Sequence, residues 1–397
     1  MKNILVTNNV VVLVLGLFVT FTHIPFTIAR RNPAFTHATS EDSARVLYYS
    51  HELGSGGEFD SVPSALTFDN SRLKRAYVAL QAMKQTMISD PFNLTSNWVG
   101  SNVCNYTGVF CSPSLDDPTI KTVAGIDLNH GDIAGNLPEE LGLLDDIALF
   151  HVNSNRFCGK LPRSLEKMKH LYELDVSNNR FAGKFPHVVL RMPNLKYLDL
   201  RFNNFEGKVP KELFEKKLDA IFINDNRFGF ALPDNMGNSP VTVIVLANNM
   251  FHGCLPTTMG NMSDTLNEMV LSNNGLHSCL PKEIGSLKNF QVLDARNNKL
   301  MGELPSSIGE MKSLERLDLS HNMFSGAVPG TVCSMPNLKK FNYNHNFFNG
   351  EAPTCLDLEE SDDVKNCFHA RPVQRSRLQC KMFLIRARAR PQNCKRL

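Results

Sequence analysis

Residues Leu314–Pro329 read LERLDLSHNMFSGAVP. The stretch follows LxxLxLxxNxLxGxIP at each fixed position within conservative exchanges, and its closing proline belongs to a series. Prolines recur at 138, 162, 186, 210, 233, 256, 281, 305, 329 and 353, spaced by 24, 24, 24, 23, 23, 25, 24, 24 and 24 residues. A period that constant over ten copies means one structural unit repeated. Such units stack into a solenoid, each burying its apolar edge only against its neighbours.

Within each unit an LxL pair predicts a short strand with alternate residues pointing inward. Seven residues before each proline stands Asn155, Asn179, Asn203, Asn226, Asn249, Asn274, Asn298, Asn322 or Asn346, with Gly131 taking that place in the first unit. A buried asparagine both donates and accepts, so a stacked column of them can satisfy the backbone where each strand turns. The glycine three before the proline gives way to Phe230 and Ser278, and those two coils are expected to turn differently. The fold class is therefore an α/β solenoid: a plant-type leucine-rich repeat horseshoe of about ten 24-residue repeats, with disulfide-stapled N- and C-terminal caps.

Around the repeats, residues 1–29 read as a secretory signal peptide: Lys2, an apolar run from Val10 to Phe21, then small residues up to Ala29. A membrane anchor over Val10–Ala29 is the alternative, interrupted by His23 and Pro25. No stable membrane span is expected in the mature chain. Residues 30–70, with Gly54-Ser55-Gly56-Gly57, read as a flexible linker. Residues 71–122 read as a helical cap with a cysteine pair: Ser71 as N-cap, a helix to about Ser89 through Leu73, Tyr77, Leu80, Met83, Met87 and Ile88, and a disulfide loop between Cys104 and Cys111. The repeats occupy 123–355, and 356–397 form a cysteine-containing basic tail.

Ten cysteines suit an oxidising compartment, and the sequons at Asn93, Asn105 and Asn261 suit secretion and glycosylation. Cys254 and Cys279 both lie two residues before the proline in consecutive units. Neighbouring strands run about 5 Å apart, so the two are expected to pair. Cys158 has no stacked partner and is either a free thiol or an intermolecular link. The connectivity of Cys333, Cys355, Cys367, Cys380 and Cys394 stays open. A net charge of +3 is too small to argue for a partner such as nucleic acid, but its distribution is uneven. Asp357 to Asp363 is acidic, and from Lys365 onward basic residues follow with no acidic one among them, either a solvated tail or a grip on a polyanion.

The phrases DPFNLTSNWVGSNVCNYTGVFC, IDLNHGDIAGNLPEELGLL, FHVNSNRFCGKLP, LDLRFNNFEGKVPKELF, VIVLANNMFHGCLP and FFNGEAPTCL, with the cysteine spacing of VKNCFHARPVQRSRLQC, resemble the plant leucine-rich repeat extensin family over about Ala76–Cys380. The resemblance implies a secreted protein of the plant cell wall that takes part in wall formation and cell expansion. Its repeat domain would bind cysteine-rich peptide hormones of the rapid alkalinization factor type. It also implies a homodimer linked by disulfide, for which Cys158 is the candidate. The family's Ser-Pro-rich extensin module has no counterpart in this sequence, which holds no SPPPP run. Two other readings are a polygalacturonase-inhibitor-like defence protein and a structural pectin-binding wall component.

Solenoids of this kind bind on the concave strand layer. The candidate residues there are Glu173, Asp175, Tyr197, Asp199, Arg201, Phe202, Phe222, Asn224, Asp225, Arg296 and Asp318. An aromatic centre among carboxylates suits a basic peptide, since aromatics supply contact area and carboxylates supply steering. An aspartate within LDL is common in such repeats and signals little alone; Phe202 and Phe222 are the stronger pointers. His130, His151, His321 and His345 fall near this face but in separate coils, without a nucleophile, metal set or phosphate loop. No catalytic residue, metal or cofactor is expected.

Overall fold

A computed structural model describes residues 5–7, 10–12, 63, 65–358, 360–369 and 371–389. Residues 1–67 with 115–118 form one unit and the remainder another. Of the first unit, Leu5–Thr7 and Val10–Val12 pair antiparallel. The rest of the expected signal peptide and most of the linker lie outside the described residues.

In the second unit each coil contributes one strand to a twelve-stranded sheet. It begins with Val109–Pro113 antiparallel to Lys121–Asp127 and continues parallel, coil by coil, to Glu360–Asp362. Register follows the repeat: Tyr197 lies opposite Glu173, and Asp199 opposite Asp175. In the three-residue strands of the repeats the middle residue is buried, as at Leu174, Leu198, Ile221 and Leu293, whereas Ser361 in the last strand is exposed. The prolines that mark the period open short 3-10 turns such as Arg163–Lys167 and Ser306–Glu310. Their fixed φ and missing N–H suit a turn's first, unbonded position.

The asparagine column is built as the sequence predicts. Asn179 Oδ1 accepts from Phe157 N–H at 2.9 Å, and its Nδ2 donates to the carbonyls of Val152, Val176 and Ser177 at 2.8, 3.2 and 2.9 Å. Asn203, Asn298 and Asn322 repeat the pattern. Beside the column runs a spine of stacked rings, Phe157, Phe181, Phe205 and Phe228, with centroids 6.5, 6.4 and 6.2 Å apart. Offset stacks of that spacing contribute beyond the area they bury.

A second set of strands follows the asparagines and is divided in two, six strands ending at Arg227–Phe228 and five beginning at His252–Gly253. The division falls at Phe230. Six of the glycines at this place, Gly159, Gly183, Gly207, Gly253, Gly302 and Gly326, have φ between 78° and 95°, while Gly135 and Gly350 in the first and last of these coils do not. Ser278 adopts the same conformation at φ 91°, whereas Phe230 does not. A bulky residue avoids that region, and at the fifth coil the ladder narrows to the single bridge Ala231–His252.

Register in this second set differs from the sequence period. Cys158 lies opposite Arg180 and Ala182 opposite Asn204, 22 residues on. Gly253 lies opposite Leu276, 23 residues on, although the prolines of those coils are 25 apart. This corrects the expected Cys254–Cys279 bridge. Cys254 is a free thiol, and Cys279 is disulfide-bonded elsewhere. Counting on from Gly253 and Leu276, the residue level with Cys254 is His277, so Cys279 sits two residues further on, past the end of the strand Gly275–Ser278.

At the N-terminal end a helix, Ser71–Gln85, covers the first coil and buries Leu73, Ala76, Ala79, Leu80, Ala82 and Met83. Its N-cap is Asn70 rather than Ser71: the Asn70 side chain accepts from Arg72 and Leu73 N–H at 2.9 and 3.0 Å. The helix stops at Gln85, short of Ser89, because Met87–Ser89 pairs with Ala134–Asn136 and leaves Ile88 exposed. Trp98 is buried against Tyr106 with its Nε1–H on Thr107 O at 2.9 Å, and Cys104–Cys111 closes the adjoining loop.

At the other end the sheet passes residue 355. Glu360–Asp362 adds a strand, and Asn366 extends the asparagine column by accepting from Phe348 N–H at 3.1 Å. Cys333–Cys355 and Cys367–Cys380 staple this end. Part of the basic tail is structural: Arg371 Nη1 lies 2.6 Å from both Glu351 and Asp363 carboxylates. Arg375 donates to Asn346 O at 2.7 Å.

Candidate functional site

The sheet brings Glu173, Asp175, Tyr197, Arg201, Phe222 and Asp225 together over three consecutive coils. The Tyr197 and Phe222 rings are 5.4 Å apart, and the Arg201 guanidinium lies 5.3 Å above the Phe222 ring. With this cation–π contact the tilted rings form a partly apolar platform beside two carboxylates.

Asp199 is not on that surface, contrary to expectation. It is fully buried beneath the platform. Its Oδ1 accepts from Arg201 N–H at 3.0 Å, and Arg201 Nε lies 2.9 Å from Oδ2, off the line a hydrogen bond needs. Burial, then the neighbouring Asp175 charge, push its pKa up to about 8 despite Arg201. The acid is therefore neutral at and below neutral pH. Tyr197 is pushed up for the same reasons, burial first and Asp199 second, and stays protonated.

The LDL aspartates share a local task. Asp175, Asp199, Asp294 and Asp318 each accept from the backbone N–H two residues on, at 2.9, 3.0, 3.1 and 3.0 Å. They hold the turn that follows the strand. Arg296 and Asp318 lie four and five strands beyond Tyr197, roughly 19 and 24 Å at the usual strand spacing. Between them the face carries Val243, Val245, Glu268, Val270 and Val292, and the distance keeps those two residues out of the same cluster. Asn224 is also buried: its Nδ2 donates to Asp225 Oδ2 at 2.7 Å, while its Oδ1 has no hydrogen-bond partner.

Immediately before each column asparagine the backbone is left-handed. Ser154, Asn178, Phe202, Asp225, Asn248, Asn273, Asn297, His321 and His345 have φ between 52° and 57°. Asparagine, aspartate and histidine tolerate this conformation; a phenylalanine is an outlier. Phe202 is moreover 46 % exposed, beside Arg201 on the rim of the cluster. An unfavourable backbone angle carrying an exposed ring points to use of that ring. Phe202→Asn should therefore raise thermal stability, by roughly 1 kcal/mol, while weakening ligand binding about tenfold. Thermal melts beside calorimetric titration would check it; unchanged affinity places Phe202 outside the interface.

Sequence reasoning set His151 aside, yet it joins the site. Its Nε2 lies 3.1 Å from Glu173 Oε2. Burial pulls its pKa down, but the hydrogen bond and charge of Glu173, with Asp175 and Asp127, more than offset this and raise it. The signal was its place at the strand end, opposite Asp127 and Asp175. His321 and His345 stack on each other at 4.1 Å, far from this cluster. Asn93, Asn105 and Asn261 are exposed, and Cys158 is a half-buried free thiol.

Twelve strands, an unbroken asparagine column and capped ends define a plant-type leucine-rich repeat solenoid. Models of the leucine rich repeat N-terminal domain match residues 76–112, and of the Leucine Rich Repeat residues 194–215, 289–311 and 313–335. Leucine-rich repeat extensin-like protein 6 of Arabidopsis thaliana is 64% identical over 315 residues, 79% of this chain and 67% of that protein. The chain belongs to the leucine-rich repeat extensin-like proteins. Protein 4 of the same series is 69% identical over 191 residues, 48% of this chain but only 39% of the relative's length. Among solved structures, the ectodomain of the Arabidopsis receptor kinase HAESA in complex with an extended IDA peptide hormone superposes with a TM-score of 0.66. It is 26% identical and covers 75% of this chain and 50% of that one. No helix among the described residues is long and apolar enough to cross a membrane.

Proposed function

We propose that this chain is a non-catalytic, extracellular wall protein whose concave face captures a basic, cysteine-rich secreted peptide of the rapid alkalinization factor type, coupling that signal to wall expansion. The observation that carries the reading is the Tyr197–Arg201–Phe222 platform set beside Glu173 and Asp175. Aromatic and arginine side chains supply most of the energy of protein interfaces, and the carboxylates supply steering toward a cationic partner. Supporting the class of ligand, the HAESA ectodomain was solved with a peptide hormone.

Calorimetric titration of basic cysteine-rich peptides against the purified protein tests this. A dissociation constant of about 1 μM or tighter is expected, rising roughly 10- to 100-fold in Phe222→Ala/Asp225→Asn with the melting temperature kept. Absence of binding at that level across the panel rejects the reading; undiminished affinity in the variant rejects the placement. Covalent dimerisation through Cys158 is part of the same proposal, and a monomer band on non-reducing electrophoresis would remove it.

A further inference from the structure

The helix Arg377–Ala389 sits at the C-terminal end of the solenoid, 13 residues long. It is held from below: Cys380 is bridged to Cys367, and the Phe383 ring stacks on Phe347 at 3.7 Å. The two anchors fix which side faces out. On that side Leu378, Met382 and Ile385 are 69, 44 and 54 % exposed. Their spacing, i, i+4 and i+7, makes one continuous stripe along the helix. Arg377 and Lys381 flank the stripe on one side and Arg386 on the other, and no acidic residue occurs between Arg377 and Ala389. Among the described residues Arg377, Lys381 and Arg386 make no ion pair. Beside the stripe opens a cavity of about 440 Å³ whose wall includes Phe368, Arg375, Arg377, Lys381 and Leu384.

We infer that this face docks on an anionic lipid bilayer, with the stripe in the headgroup–acyl boundary and an anionic headgroup in the cationic cavity. A helix that turns aliphatic side chains outward between rows of cations has the chemistry of an interfacial helix. Its length, about 20 Å, suits lying on a surface and is too short to span one. A polyanionic polysaccharide would use the cations and leave the stripe without a role, which favours lipid. The site is separate from the concave platform, and its test reads out independently of peptide binding.

The full chain, with its disulfides intact, is floated with vesicles of phosphatidylglycerol and phosphatidylcholine in equal parts, and with phosphatidylcholine alone. Binding only to the anionic vesicles is expected, weakened at least tenfold by Leu378→Ser/Ile385→Ser and by Arg377→Glu/Lys381→Glu alike. Retention on immobilised polygalacturonate is the companion assay. No flotation with anionic vesicles overturns the inference. So does flotation that survives Leu378→Ser/Ile385→Ser and falls only with the charge reversals, the behaviour of a plain polyanion grip. Since all four side chains are exposed, circular dichroism matching wild type confirms that the variants report on the surface.

Discussion

Asn179→Ala is expected to lower stability by about 2–4 kcal/mol, as is the same change at Asn203, Asn298 or Asn322, which make the same four hydrogen bonds. The change removes four hydrogen bonds at once and strands the Phe157 N–H in a dry interior, while the carbonyls of Val152, Val176 and Ser177 each lose one of two donors and keep Asn155 Nδ2, Asn203 Nδ2 and the Ser154 N–H. Each buried group left unpaired costs its desolvation, about 1–3 kcal/mol, and the neighbours relax only partly. Asn179→Leu separates this from a volume effect, because it fills the space without restoring a donor or acceptor. Urea melts should show both variants shifted alike. Recovery of wild-type stability by leucine would mean that the column acts by packing. The loss should also spread to adjoining coils, since each asparagine ties its own turn to the one before.

The second large effect is pH-dependent. Asp199→Asn should stabilise the protein by on the order of 3–5 kcal/mol at pH 9 and change little at pH 5. The folded pKa, about 8, lies far above the ordinary carboxylate value. For an acid shifted upward, the unfolded chain gives up its proton first. The stabilising contribution is then complete below the unfolded pKa of about 4 and declines as pH rises toward 8. His151 acts in the same direction: its raised pKa gives stability that is present below the ordinary histidine value and lost as pH rises through the folded one. Thermal melts of wild type should therefore fall from pH 5 to pH 9, and those of Asp199→Asn should fall much less. Binding runs the other way. Raising pH removes positive charge at His151 and adds negative charge at Asp199, so a cationic peptide should bind more tightly at the alkaline end. Equal melting temperatures for the two proteins at pH 9 would show that Asp199 is not destabilised by its burial.

What could be read from the residues was whatever repeats locally. The coil period, the inward leucines and the asparagine column each reduce to one residue type at one place, and Leu314–Pro329 alone displays all three. Failures came where neighbouring coils decide. Asp199 has the outward place of an LDL strand, yet Tyr197, Arg201 and Phe222 close over it. The last coil escaped notice because Ser361 stands where other strands place leucine, isoleucine, methionine or phenylalanine. Met87 and Ile88 keep helical spacing with Met83, but the edge at Ala134–Asn136 offers hydrogen bonds that an extended segment can use. Phe202 was singled out from its size; that its backbone is also left-handed needed coordinates.

The two strand sets wind at different steps, 24 residues on the concave side and 22 on the other. A contact map of the solenoid thus carries two parallel bands rather than one. Pairwise substitution statistics over the family should separate into the same two diagonals, offset by two positions. An alignment that slips one coil against the next would blur the bands together. Cross-linking chemistry inherits the rule as well: a covalent clasp between adjacent coils on the outer side belongs at positions such as 158 and 180, where backbones meet, and not at residues that merely occupy the same place in the motif.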